Sequence, residues 1–399
     1  MISVDEALAE CLALVAPLPS EEVHLLQAGG RVLVEPVLAA RDQPPFAASA
    51  MDGYALASAD ARPGAQFSVV AEAPAGRAWT GRLGPGQALR IFTGAPVPEG
   101  ADRVVIQEDV RREGDVITLN ETLDTGPYIR PAGGDFRAGD RMDAPRRLGP
   151  ADIALAASMG GAKLWVTRRP KVALLATGDE LVPPGGRPRE DQIVASNAYG
   201  LAAMVQAAGG VPQLLPIARD DRDTLRACLE LARGADLIVT IGGASVGDHD
   251  LVGDVSAAMG LEQSFYKIAM RPGKPLMAGR LGAAALIGLP GNPVSALVCG
   301  QIFVCPMLRA LQGLPAEAQA PLKACLAEPI GENGPRAHYM RAKLGRPLTG
   351  QSLPSITPVD SQDSALLSRL SRADALMIRA PDARAAPAGE IVDYLPLLT

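Results

Sequence analysis

The stretch Asp236–Asp250, DLIVTIGGASVGDHD, decides the fold. Leu237 to Ile241 is a short apolar run rich in β-branched residues, the pattern of a buried strand. Gly242 and Gly243 follow, then Ser245, Gly247 and the carboxylates Asp248 and Asp250. Apolar residues resume at helical spacing (Leu251, Val255, Ala258, Met259), and Gly260 closes that run. The order is strand, glycine loop, helix. Glycines let a backbone approach a ligand closely and turn successive N–H groups towards an anion. A helix start adds partial positive charge at the same spot. In an open α/β sheet such a loop lies at the carboxyl end of a strand, where ligands bind. Gly-Gly alone reads as a tight turn, but a hydroxyl and two carboxylates in the same loop point to a binding site. As acceptors, Asp248 and Asp250 do not suit a phosphate. They suit a magnesium ion, a sugar or pterin donor, or an electropositive metal centre.

Outward from this loop, residues 171–312 alternate strand and helix. Val172–Ala176 is a strand, followed by Thr177-Gly-Asp-Glu180. A helix runs from Asn197 to Ala208. Val211–Ile217, with its prolines, reads as an edge strand. A further helix starts at Asp220 or Asp221. Phe265–Met270 and Leu276–Ala278 flank Arg271-Pro-Gly-Lys274-Pro, and Ala285–Gly288 is a last strand. Leu289-Pro-Gly-Asn-Pro293 then turns into a helix reaching Leu311. This alternation implies an α/β sandwich with a mainly parallel sheet. Right-handed crossovers put the loops Thr177–Glu180, Gly242–Asp250 and Pro290–Ser295 at one edge of it. Those loops offer backbone N–H groups, hydroxyls and carboxylates. Lys267, Arg271 and Lys274 supply positive charge, with Pro272-Gly273 as a bend that holds the latter two on one side. Solvated surface cations are the commoner case, but crowding beside glycine loops favours phosphate or oxyanion binding. No Ser-His-Asp order or activated cysteine stands out. The chemistry suggested is metal-assisted or electrostatic, on a phosphate-bearing ligand.

The flanks differ in kind. Ser3 and Glu6 form a capping box for a first helix. Met51-Asp52-Gly53-Tyr54 reads, on spacing alone, as a turn in which Asp52 bonds its own backbone. From about residue 60 to 135, short strands separated by Gly, Pro and Asp describe a β-rich insert, and the runs after residue 320 describe a small β domain. With 399 residues, the chain has room for two to four domains. A net charge of −6 argues against general nucleic-acid binding. The five scattered cysteines fit a reduced, cytoplasmic protein, and three distant histidines make a zinc site of Cys/His type a poor fit. No signal peptide opens the chain, and no apolar run reads as long enough to span a bilayer.

Six stretches together carry a family resemblance: SAMDGYA at 49–55, RPAGGDFRAGD at 130–140, TGDEL at 177–181, GGASVGDHD at 242–250, RPGKP at 271–275 and LPGNPVSA at 289–296. In this order, over nearly the whole chain, they resemble the molybdopterin molybdenumtransferase family, which includes the C-terminal domain of gephyrin. The resemblance implies an α/β multidomain fold. Residues 1–45 and 140–168 would form a discontinuous N-terminal, dimerising part around a β-rich insert at 46–139. A central three-layer α/β domain with a mostly parallel sheet would occupy 169–314, and a C-terminal β-barrel-like domain 315–399. It implies insertion of molybdate into adenylylated molybdopterin with release of AMP, assisted by Mg2+. A homodimer is implied, with the molybdopterin adenylyltransferase and recipient molybdoenzymes as further partners, and neither nucleic acid nor membrane.

Carried over residue by residue, Asp52, Thr93 and Asp135 come from the insert, and Asp179, Glu180, Asp220 and Asp250 line the central pocket. Glu180, Asp250, Asp52 and Asp135 take catalytic roles, and Asp179, Glu180 and Asp250 hold metal. Gly242, Gly243 and Ser245 bind the pterin phosphate, while Pro290 and Pro293 shape the last loop. Lys267, Arg271 and Lys274 hold phosphate or molybdate, with Arg341 and Ser364 of the β domain beside them. Ala47-Ala48 and Gly134 depart from the family pattern. Two other activities fit the same residues: a molybdopterin adenylyltransferase, which requires ATP, and a non-catalytic carrier or scaffold.

Overall fold

The structure is a computed structural model that describes residues 1–243 and 251–397. Its central sheet has six strands in the order Val211–Leu214, Lys171–Ala176, Leu237–Ile241, Ala284–Leu289, Met277–Leu281, Leu261–Tyr266. The first four run parallel, and the last two close one edge antiparallel. Val211–Leu214 is the opposite edge, which its Pro212 tolerates. The run at 237–241 is buried at every position, Thr240 included, because both faces of that strand are covered. Leu237, Val239 and Ile241 face a core shared with helices Asn197–Ala207 and Pro293–Cys299. Ile238 faces a second core with helices Arg222–Leu231 and Leu251–Ala258. The first helix, Val4–Ala13, capped by Ser3 and Glu6, packs into the former core through Val4, Ala7, Leu8 and Cys11.

One reading needs correction. Helix turns run on from Pro293 to Leu311, and these 19 residues are long and apolar enough to cross a membrane. Arg309 and Pro306 mask that run in the sequence. In the fold 78% of it is buried against the central sheet, so its apolarity serves the protein core.

The chain leaves for the insert and returns along paired legs. Val37–Leu38 pairs with Arg141–Met142, Gln43 with Phe136, and Ala48–Ser49 with Ile129–Arg130. Below the legs, Ser20–His24, Lys163–Thr167, Val32–Leu33 and Arg146–Arg147 form a four-stranded sheet. The insert is a six-stranded sheet with a core on each face. Of residues 51–54, expected as a turn, Gly53 and Tyr54 instead open an inner strand of it, Gly53–Leu56, buried throughout. Near the C-terminus, Ala337–Gly345, Ser355–Pro358, Leu322–Leu326, Ile391–Pro396 and Ala375–Arg379 close on themselves as a five-stranded barrel, which leaves no open edge within the ring. Met270–Arg271 of the central region adds to this barrel, in parallel with Ala337 and His338.

Candidate active site

Ala176, Ile241 and Leu289 are the last residues of three adjacent parallel strands, and they stand in register. The three loops that follow therefore leave from one edge of the sheet. They surround a cleft of about 1050 Å³. Thr177, Gly178 and Glu180 line it from the first loop, Gly242 and Gly243 from the second, and Pro290 and Pro293 from the third. Asp220, just ahead of the helix capped by Asp221, completes a second carboxylate wall. Ala365 reaches in from the barrel side. Gly243 has φ +69°, and a Cβ there would meet Val252 Cγ2 at 2.4 Å, so a side chain is excluded on two counts. The Thr177 hydroxyl is buried and without a hydrogen-bond partner among the described residues.

Asp179 and Glu180 are neighbours in sequence but not in destination. Glu180 lines the large cleft, whereas Asp179 lines an adjoining cavity of about 640 Å³. The Asp179 carboxylate accepts the Asp220 N–H at 3.3 Å. Among the described residues no three Asp, Glu, His or Cys side chains gather as a metal site. Ser245 and Asp250, with Asp248, lie outside the described residues.

The last loop is held by amides that sequence reasoning missed. Asn197 Nδ2 donates to the Gly291 carbonyl at 2.7 Å, and Asn292 Nδ2 donates to Ser364 Oγ at 3.0 Å. The Val294 N–H donates to the Ser364 carbonyl. Ser364 thus joins the site as a brace from the barrel. Asn197 is the first residue of its helix, with Ser196 at the cap position. The signal available was an amide at each strand-to-helix joint, which caps and loop braces share.

Arg341 is corrected. It is 1% exposed, and its guanidinium donates to the carbonyls of Ser361 and Asp363 and to Gln362 Oε1. It holds the loop that carries Ser364 and is not free to grip an anion. The cations are also placed differently from the expectation. Of their segment only Pro275 lines the cleft. Arg271 pairs with His338 along the barrel, the Lys274 carbonyl accepts the N–H groups of Ile268 and Leu276, and the Lys267 ammonium sits 4.7 Å from the Tyr266 ring centroid. Burial first, then the charges of Arg271, Arg341 and Arg336, push the pKa of His338 down to about 4.

In the insert, Asp52 does not bond its own backbone. Its Oδ1 accepts both the N–H and the hydroxyl of Thr93, each at 2.8 Å. The Thr93 N–H, then its hydroxyl, and lastly the Arg90 charge outweigh a small desolvation effect and hold this carboxyl below the usual range. Arg90 lies over the rings of Tyr54 and Phe92 and donates to the Gly53 carbonyl. Asp52 and Thr93 are thus brought together, and Asp135 is exposed on the neighbouring leg. None of the three lines the central cleft of its own chain.

Three family models match: the MoeA N-terminal region (domain I and II) over residues 2–160, a probable molybdopterin binding domain over 173–310, and the MoeA C-terminal region (domain IV) over 323–397. A molybdopterin molybdenumtransferase from Nostoc sp. is 38% identical over 82% of this chain and 77% of its own. The chain belongs to the molybdopterin molybdenumtransferase family. A second family member, molybdopterin molybdenumtransferase 2 from Mycobacterium tuberculosis, is 38% identical over 78% of this chain and 80% of its own. The fold is shared with a molybdopterin biosynthesis MoeA protein from Pyrococcus horikoshii OT3, with a TM-score of 0.82 and 26% identity over 99% of each chain. Apart from Ala365, every residue lining the large cleft falls in the family's molybdopterin-binding region.

Proposed function

We propose that this chain inserts molybdate into adenylylated molybdopterin and releases AMP, in molybdenum cofactor biosynthesis. The observation that carries this reading is the cleft at three in-register strand ends, where Glu180 and Asp220 face glycine backbone and the amide-braced loop at 290–293. Backbone N–H groups beside glycines bind phosphate oxygens, a role assigned to Gly242, Gly243 and Ser245. The substrate's own dithiolene would ligate molybdenum, so the chain needs no thiolates for that, and its five cysteines are all buried. Glu180, with Asp250, is assigned the handling of a proton on attacking water as the phosphoanhydride to AMP breaks. Lys267, Arg271 and Lys274, in the segment whose Pro275 lines the cleft, are assigned to the incoming molybdate and phosphate.

Oxygen donors suit magnesium, and the carboxylates of Glu180 and Asp220 line one cleft. With Asp250 they form the proposed Mg2+ set, where the ion would neutralise phosphate charge, while Asp179, expected to join them, lines the adjoining cavity. Asp52, Thr93 and Asp135 are assigned to the cleft of a second copy. Leu26, Leu38 and Trp165 are 92%, 61% and 42% exposed on the N-terminal part, apolar surface that a homodimer would cover. The division at 1–45 with 140–168, 46–139, 169–314 and 315–399, a cytoplasmic location, and exchange with the adenylyltransferase and recipient molybdoenzymes belong to the same proposal.

The test is anaerobic incubation of the purified protein with adenylylated molybdopterin, Mg2+ and molybdate, following AMP and metal-loaded cofactor. Molybdate-dependent AMP release without ATP is expected. Tight pterin binding with no AMP would overturn the enzyme reading in favour of a carrier, and a requirement for ATP would favour the adenylyltransferase.

A further inference from the structure

We infer that Arg90 is a positioning residue for Asp52: its guanidinium fixes the two main-chain carbonyls next to that carboxylate, one directly and one through Gln107. The inference rests on the proposed function for what Asp52 does, and on the insert itself for how Asp52 is held.

Three strands of the insert end together at this point. Gly53–Leu56 runs antiparallel to both Gln87–Ile91 and Arg103–Ile106. Asp52, just ahead of the first, therefore lies at the end where Thr93 follows the second and Gln107 follows the third. Gly53 stands in register with Ile91 and Ile106. A Cβ on Gly53 would meet the Val105 carbonyl oxygen at 2.1 Å, so glycine is what lets the strands close beside Asp52.

Arg90 is at the centre of this rim. It stands opposite Tyr54 in register, and its guanidinium lies 5.1 Å from the Tyr54 ring centroid and 4.6 Å from that of Phe92. It donates to the Gly53 carbonyl at 3.1 Å and to Gln107 Oε1 at 2.7 Å. The Gln107 N–H in turn donates to the Asp52 carbonyl at 3.1 Å. Gln107 Nε2 donates to Glu108 Oε1 at 3.2 Å, so that amide is oriented from both ends. The main chain of Asp52 is thus held from the Arg90 side, while its carboxylate is held by Thr93, three residues beyond Arg90. The plain alternative is an arginine that stacks on two rings to stabilise the sheet. Stacking does not require the two donations, and both go to residues that adjoin or hold Asp52. Among the described residues no carboxylate pairs with Arg90, so its fork is committed to these neutral acceptors. A lysine keeps the charge but cannot reproduce the fork.

The test is the titration of the Asp52 carboxyl in the full-length protein, by carbon NMR on aspartate-labelled chain, with Asp52→Asn to identify the signal. In the native chain the Thr93 N–H and then its hydroxyl hold this carboxyl below the usual range, and the Arg90 charge comes last. Arg90→Lys retains the charge, so a midpoint that rises towards the ordinary aspartate range, as it should in Thr93→Val, reports lost geometry. The same variant should lower kcat about tenfold with KM unchanged. Added to Asp52→Asn it should cost nothing more, because two changes that act through one group are not additive. An unchanged Asp52 titration in Arg90→Lys would overturn the inference whatever the activity, and so would losses that multiply in the double variant. Gln107→Met, at an exposed position, breaks the same link and should also raise the midpoint, which keeps the test open if Arg90→Lys does not fold. A shifted titration with full activity in Asp52→Asn would refute the catalytic role proposed for Asp52 and leave its positioning by Arg90 standing.

Discussion

Gly178 shows how a single residue sets the geometry of the site. Its φ is +143°, and a Cβ there would lie 2.3 Å from Glu180 Oε2. Gly178→Ala therefore displaces the one carboxylate of the TGDEL stretch that lines the large cleft. Turnover should fall more than tenfold, while the urea midpoint reports a stability loss of about 1 kcal/mol. Glu180→Gln separates the two effects. Glu180 is exposed, so the variant should keep its urea midpoint and lose about 100-fold in kcat. His338 gives a pH prediction. It is 6% exposed and its pKa is pushed down to about 4, so it is neutral in the fold, whereas the unfolded chain takes up its proton from about pH 6.5 downward. The unfolded state then holds more protons, so the contribution is complete above about pH 6.5 and is lost as pH falls towards about 4, by roughly 3 kcal/mol at most. Urea melts at pH 7.5 and 5 should show this loss in the native chain and a smaller one in His338→Gln.

Among elements, the decisive contact is between the barrel and the loop at 290–293. Arg341 stands on strand Ala337–Gly345 and fixes 361–363 by three side-chain donations, and Ser364 next to that loop accepts from Asn292. A lysine cannot reproduce the fork. Arg341→Lys should cost about 2 kcal/mol, measured by urea melts, and should raise KM more than it lowers kcat, because the loop that shapes the cleft loses its brace. A loss in kcat alone would place Arg341 on the reacting groups.

For the whole molecule, the assignment of Asp52, Thr93 and Asp135 to a second copy has its own test. Asp52→Asn and Glu180→Gln proteins should each be nearly inactive. Unfolding and refolding them together should recover about a quarter of native activity, since half the dimers would be mixed and each of those would hold one intact site. No recovery, with dimers demonstrated by sedimentation, would put the insert residues in a different role.

The run 237–241 is apolar at four of its five positions, with Thr240 as the exception, which already demanded a strand covered on both faces, and the glycines after it demanded a loop at its carboxyl end. The alternation around it gave the parallel order, and hence the shared edge for the loops at 177, 242 and 290. Period and composition act locally, so these features could be read without coordinates. What the pattern could not carry was direction and distance. Asp179 and Glu180 are adjacent letters that serve different cavities, because successive loop residues point apart. Arg341 reads as a free cation but is consumed by carbonyls that lie 20 to 22 residues further along the chain. Asp52 reads as a self-bonded turn, yet its partner Thr93 is 41 residues away. The helix reaching Leu311 could be read from the sequence, but not that the sheet and the first helix bury most of it. Each of these depends on which distant groups the fold brings within hydrogen-bonding or packing range, and only the tertiary structure decides that.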